Sequence, residues 1–229
     1  MTAHRRHITV IVAGCLALAG TTLVLAVSGA HDSAADTGHG HRAMAAKKIT
    51  AKQATFHDAM RKLWEDHITW TRLAIVSFAH DLPDLPATEA RLLDNQVDIG
   101  NAIKPYYGRA AGNQLTALLK EHITGAVALL VAAKAGDQAR IAQRSDEWYA
   151  NGNEIADFLS HANPRHWPQD EMRLMMKRHL DQTLSEATHR LGGDYAADIQ
   201  DYEAIHQHIL EMADMLSGGI IKQFPRRFR

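Results

Sequence analysis

The chain has 229 residues, 46% of them hydrophobic, enough for one domain with a sizeable core once any targeting segment is removed. Its 25 basic and 26 acidic residues leave a formal net charge of -1, so charge favours neither nucleic acid nor a strongly charged surface as partner. The departure from ordinary composition is histidine, with 15 copies that fall in an N-terminal cluster and a scatter through the rest of the chain.

Residues 1–30 read as a Sec-type export signal. Arg5 and Arg6 supply the basic start, Ile8 to Val27 is an apolar run, and Ser28-Gly29-Ala30 offers small residues for cleavage after Ala30. The run is also long enough to span a bilayer uncleaved, as a membrane anchor. Either way the domain is expected to be exported, secreted or held at the outer face of the cytoplasmic membrane. Cys15 is the only cysteine, which excludes internal disulfides. Val12-Ala13-Gly14-Cys15 resembles a lipobox, but about a dozen apolar or small residues follow it, so a Cys filling an apolar helix is the plainer reading over lipidation.

Residues 31–49 turn small, polar and His-rich, with no apolar stripe, and read as a flexible linker. A solvated spacer is favoured there over loose metal binding by His31, His39 and His41.

From residue 50 to 229, apolar residues recur at helical spacing and no stretch alternates as a strand would, so the domain is all-α, a helical bundle. Breaks at Leu82-Pro83-Asp84-Leu85-Pro86, Pro105-Tyr106-Tyr107-Gly108, Gly136-Asp137, Asn163-Pro164 to Pro168, and Gly192-Gly193-Asp194 divide it. They predict six helices, at about 54–81, 86–104, 109–135, 137–161, 168–191 and 195–222. The first, third and fifth place His67, His122 and His179 in one apolar frame, each replacing a core residue. The second, fourth and sixth carry Asp94, Asp146 and Asp201, each followed seven residues later by Asn101, Asn153 or His208. This predicts three related αα-hairpins, with the six histidines and asparagines at one height as an inward polar layer and Asp94, Asp98 and Asp201 close to it.

His67, His122, His179 and His208 suit a borderline ion such as zinc, copper or nickel, with Asp98 or Asp201 completing or orienting the shell, and with Asn101, Asn153, Asp94 and Asp146 as supporting polar groups. The competing reading is structural: buried histidines that hydrogen-bond to Asn and Asp across the hairpins. Glu186 with His189 and Glu203 with His206 have di-iron spacing, but their distances from the last turn keep them from meeting at one level. No phosphate loop, Gly-x-Ser-x-Gly elbow or His-Glu-x-x-His is present. The expectation is a non-enzymatic extracytoplasmic bundle that binds a transition metal or small ligand at the histidine layer. Two alternatives stand beside it: a metal-dependent hydrolase or oxidoreductase with Asp98 or Glu65 as acid/base, and an anchored interaction module with structural histidines. The tryptophans and tyrosines read as core before the lining of a ligand cleft, and the basic Lys222 to Arg229 end as a solvated terminus by default, with a packed tail or contact with a membrane surface as alternatives.

LWEDHITWTR, RLLDNQVDIGNAIKPYYG, LLKEHI and MADMLSGGIIKQFP together resemble a group of small exported bacterial all-helical proteins, over roughly residues 60 to 225. That resemblance implies an exported helical fold and brings no activity with it. Enzyme labels such as glycosyltransferase attach to some members, and no nucleotide-sugar or ATP site is legible in these residues.

Overall fold

A computed structural model describes residues 49–229; the expected export segment, Cys15 and the expected linker up to Lys48 lie outside the described residues. The described chain is all-helical. Helix α1 spans Ala51–Ala79, α2 Leu85–Ala135, α3 Gln138–Ala162, α4 Gln169–Gly192 and α5 Tyr195–Gln223, followed by a short 3-10 turn at Pro225–Phe228. Helix starts carry the expected chemistry. Thr50 and Gln53 close a reciprocal capping box at α1, and the Asp137 and Asp194 carboxylates accept the backbone N–H groups of Arg140 and Ala197 at α3 and α5.

Five continuous helical segments stand where six were expected, since the break after Pro105 shrinks to one residue at which two helical arms of α2 meet. A single residue, Gly108, leaves helical geometry at φ 86° and ψ 168°, a left-handed conformation that costs glycine little. There α2 folds back on itself. The Thr116 hydroxyl stands 3.4 Å from the Gln96 carbonyl, whereas in an unbroken helix twenty residues would separate them by about 30 Å. The backbones of the two arms come so close at Gly100 and Gly112 that a Cβ on Gly100 would stand 2.6 Å from the Gly112 carbonyl oxygen.

The helices pack in a closed order: α1 against α2 and α5, α2 against α3, α3 against α4, and α4 against α5. Their inner faces bury one cluster that includes Met60, Trp64, Ile68, Ile99, Leu119, Ile155, Met176, Leu180, Ile205, Met212 and Ile220. Each fully buried Ile, Leu or Met contributes roughly 1.5–3 kcal/mol. An 18-residue window of α2 has a mean hydropathy of 1.5 and is apolar enough, by length and composition, to cross a membrane; α2 gives Leu92, Ile99, Leu115, Leu119 and Leu129 to the core.

The C-terminus packs, contrary to the solvated end expected by default. Phe228 is buried, its ring 5.1 Å from Phe56 and stacked 5.5 Å from Tyr106, and its carbonyl accepts the Thr50 hydroxyl at 2.7 Å. The basic residues Arg226 and Arg227 remain exposed around this aromatic plug.

Candidate functional site

His67 from α1, His122 from the second arm of α2, His179 from α4 and His208 from α5 are all buried, at 2–4% exposure. His179 is central. Its ring centroid lies 5.9 Å from His67, 6.0 Å from His122 and 6.4 Å from His208. Removal from water favours the uncharged ring, so all four are held neutral. Burial, then the neighbouring His122, pushes His67 down to about 3; burial pushes His122 down to about 4 and His208 down as well. His179 is held well below its ordinary value, by burial and then by the three imidazoles around it.

The partners of the layer differ from those expected. Asp94, Asp98, Asn101, Asp146 and Asn153 are exposed on the outer faces of their helices. Asp201 is turned to the Ser185 hydroxyl and the His189 ring, each at 2.7 Å, and Glu65 to His206 at 2.7 Å. None of these carboxylates stands at the layer. The reason is register: the buried stripe of α2 is Leu92, Asn95, Gln96, Ile99 and Ile103, and that of α3 is Trp148, Asn151, Ile155 and Leu159. Both stripes run a step around the helix from the positions aligned in the sequence.

The groups that do reach the layer are Asn95, Gln96 and Asn151. Asn151 donates its amide N–H to the Leu118 carbonyl at 3.2 Å, which leaves its oxygen to accept from Nδ1–H of His122 at 3.1 Å. With the proton on Nδ1, Nε2 of His122 keeps its lone pair. The Gln96 amide lies 3.3 Å from Nδ1 of His67, and Asn95 donates to the Leu63 carbonyl at 3.0 Å. His208 donates from Nε2 to the Met175 carbonyl at 3.1 Å, so its lone pair is on Nδ1. That nitrogen has no hydrogen-bond partner, and neither has Nδ1 of His179. Asn95, Gln96 and Asn151 could have been found in the sequence as polar residues within a run of core spacing.

Trp148 stacks on His122 at 5.2 Å and 20°, and its indole N–H donates to the His122 carbonyl at 3.0 Å. Trp64 meets His67 edge-on at 5.6 Å. Two apolar cavities lie along the helices on either side of the layer. One, of about 30 Å³, is bounded by Met60, Trp64, Met176 and Met212 together with His67, His122 and His179. The other, of about 50 Å³, lies beyond Thr71, Ala126 and Thr183. About 10–15 Å³ of such space holds one water-sized object, so each can admit a small guest.

Three imidazoles on one tetrahedral ion, each nitrogen about 2.0–2.1 Å away, have ring centroids roughly 5 Å apart. The rings here are about an ångström wider. As placed, no group of three or more His, Cys, Asp or Glu side chains among the described residues is in position to hold an ion.

A second buried polar cluster joins α1, α4 and α5. Arg72 pairs through both guanidinium nitrogens with Asp198 and reaches Glu186 at 2.9 Å, while Arg190 meets Asp198 at 3.2 Å. Glu186 and Asp198 are fully buried. Burial pushes the Glu186 carboxyl up to about 7, against the pull of Arg72. For Asp198 burial acts upward too, but the Arg72 and Arg190 guanidinium groups outweigh it and hold the carboxyl below its usual range. Glu186 and His206 thus belong to separate clusters, and the di-iron spacings have no common centre.

No family model, no curated protein and no solved structure matches this chain.

Proposed function

We propose that the chain is an extracytoplasmic, non-enzymatic bundle of three related αα-hairpins that binds a transition-metal ion, zinc or copper, among His67, His122 and His179, with His208 behind His179. The hairpin reading is supported by one bond made three times. Asn95, Asn151 and His208 each donate across to a carbonyl, those of Leu63, Leu118 and Met175, and each carbonyl stands four residues before a layer histidine. The export reading rests on the apolar N-terminal segment.

The observation that carries the ligand is the unpartnered Nδ1 of His179, buried among the rings of His67, His122 and His208. Imidazoles kept only for packing would have their nitrogens satisfied. The amide of Asn151 fixes the His122 ring as the outer partner of a metal-bound histidine does, with the coordinating nitrogen left bare. Burial of all four rings gives a substrate no approach, which favours binding over turnover.

The test is metal analysis of the protein purified without an affinity tag, followed by titration with zinc and copper. One equivalent of ion is expected. It should be lost when His67, His122 and His179 are all changed to Gln. Stoichiometric binding that survives the triple change would sink the site.

A further inference from the structure

We propose that the ion is copper(I), held by the layer imidazoles and by methionine thioethers of the adjoining cavity; this rests on the metal-binding reading above. Charge argues first. The carboxylates expected at the layer are exposed or tied elsewhere, and Glu211, half exposed and 3.9 Å from Nδ1 of His208, does not line the cavity. The donors are therefore neutral. The cost of bringing an ion into an apolar interior grows with the square of its charge, so a divalent ion costs about four times as much as a monovalent one. With no carboxylate lining the cavity to offset the second charge, the site discriminates against zinc(II) and copper(II).

Donor softness argues the same way. Met60, Met176 and Met212 line the cavity that also touches His67, His122 and His179. Thioethers select copper(I) over harder ions, and imidazole binds it as well. No thiolate competes for the assignment, since Cys15 is the only cysteine and precedes the domain. Methionine is unbranched and turns its sulfur with little strain. The cavity of about 30 Å³ gives the ion space next to the rings, and a sulfur ligand supplies what the wide spacing of the imidazoles lacks.

The experiment is an anaerobic copper(I) titration of the purified protein against bicinchoninate, beside a zinc(II) titration against a chromophoric chelator. All variants carry His31, His39 and His41 changed to Ser, so that the linker contributes nothing. One copper(I) per chain is expected, absent from the His67→Gln, His122→Gln, His179→Gln protein. Affinity should fall at least about tenfold when Met60, Met176 and Met212 become Leu, a change that conserves volume, and at least about threefold in Met176→Leu alone. X-ray absorption at the copper edge should show a sulfur shell at about 2.3 Å. Zinc held through the histidines with copper(I) no tighter, or copper(I) binding indifferent to the methionines and free of a sulfur shell, would overturn the copper assignment and leave the metal layer standing. Binding of neither ion would remove both.

Discussion

The side-chain oxygen of Asn151 lies 3.1 Å from Nδ1 of His122, while its nitrogen donates to the Leu118 carbonyl on the same neighbouring helix. One amide thus satisfies two groups that have no water to turn to. Asn151→Ala strands the Nδ1–H of His122, while the Leu118 carbonyl keeps its helical bond, so a loss of roughly 1–3 kcal/mol is expected. Asn153→Ala, at an exposed position two residues on, should stay within about 0.5 kcal/mol. Urea denaturation of the two variants compares them directly, and equal losses would mean that the register described for α3 is wrong.

How much of this was legible beforehand follows from what a helical pattern can carry. Periodicity and Pro/Gly punctuation announce an all-helical chain, and a histidine in an apolar frame announces its burial. The same pattern says little about height. The buried face of α1 runs through Trp64, His67, Ile68 and Ile75, with Leu63 and Trp70 only half-buried at its edge. The turn between α1 and α2 sets Asn95 and Gln96, rather than Asn101, against Leu63 and His67, and periodicity alone does not fix that register. The pairing of Arg72 has no local signal in the sequence. Its partners Glu186 and Asp198 lie more than a hundred residues away, and nothing local joins them.

Acid should unfold the bundle through its histidines. His67, near 3, and His122, near 4, titrate well below the 6.5 of an unconstrained imidazole, so the unfolded chain binds more protons than the folded one across that window. Stability present above pH 6.5 is therefore lost as the pH falls toward 4, by up to about 1.4 kcal/mol per pH unit for each such ring. Urea midpoints measured from pH 7 to 4 should fall accordingly. The slope should be shallower in His122→Gln, which cannot take up the proton, and an unchanged slope would exclude His122 as a contributor.

Glu186 acts with the opposite sign. Its carboxyl, raised to about 7, stays protonated in the fold after the unfolded chain has ionised near 4.5, so it contributes stability at low pH that is lost as the pH rises through 7. Glu186→Gln keeps the shape without the charge. It should leave stability near pH 5 almost unchanged and raise it at pH 8 by roughly 1–3 kcal/mol. A variant less stable than the parent at pH 8 would show that the Arg72 contact outweighs burial.

Removing Arg72 should be far more costly. Asp198 would then remain fully buried with Arg190 alone, and Glu186 with no cation. Breaking a buried pair in this way costs about 3–5 kcal/mol, so Arg72→Met should lower stability by that amount despite its apolar gain. Thermal unfolding at pH 7 is a sufficient measurement.

The two glycines at the fold-back of α2 should respond for different reasons. Gly100→Ala drives a methyl group onto the Gly112 carbonyl and the Thr116 hydroxyl, and a backbone carbonyl yields little, so about 1–3 kcal/mol is expected. At Gly108 nothing lies within 4 Å of the added methyl, and only the backbone resists it, since φ 86° with ψ 168° is a region almost reserved to glycine, at roughly 1–3 kcal/mol. Denaturant midpoints of the two variants, read beside a crystal structure of Gly100→Ala, would separate collision from backbone strain.

The indole of Trp148 lies flat against the His122 imidazole. Ring contact of that kind lets a charged imidazolium, or a bound ion beside it, drain the excited state of the indole. The layer therefore carries its own optical gauge. Emission from Trp148, isolated by replacing Trp64, Trp70 and Trp167 with Phe, reports the charge at the centre of the bundle in real time, with no label added.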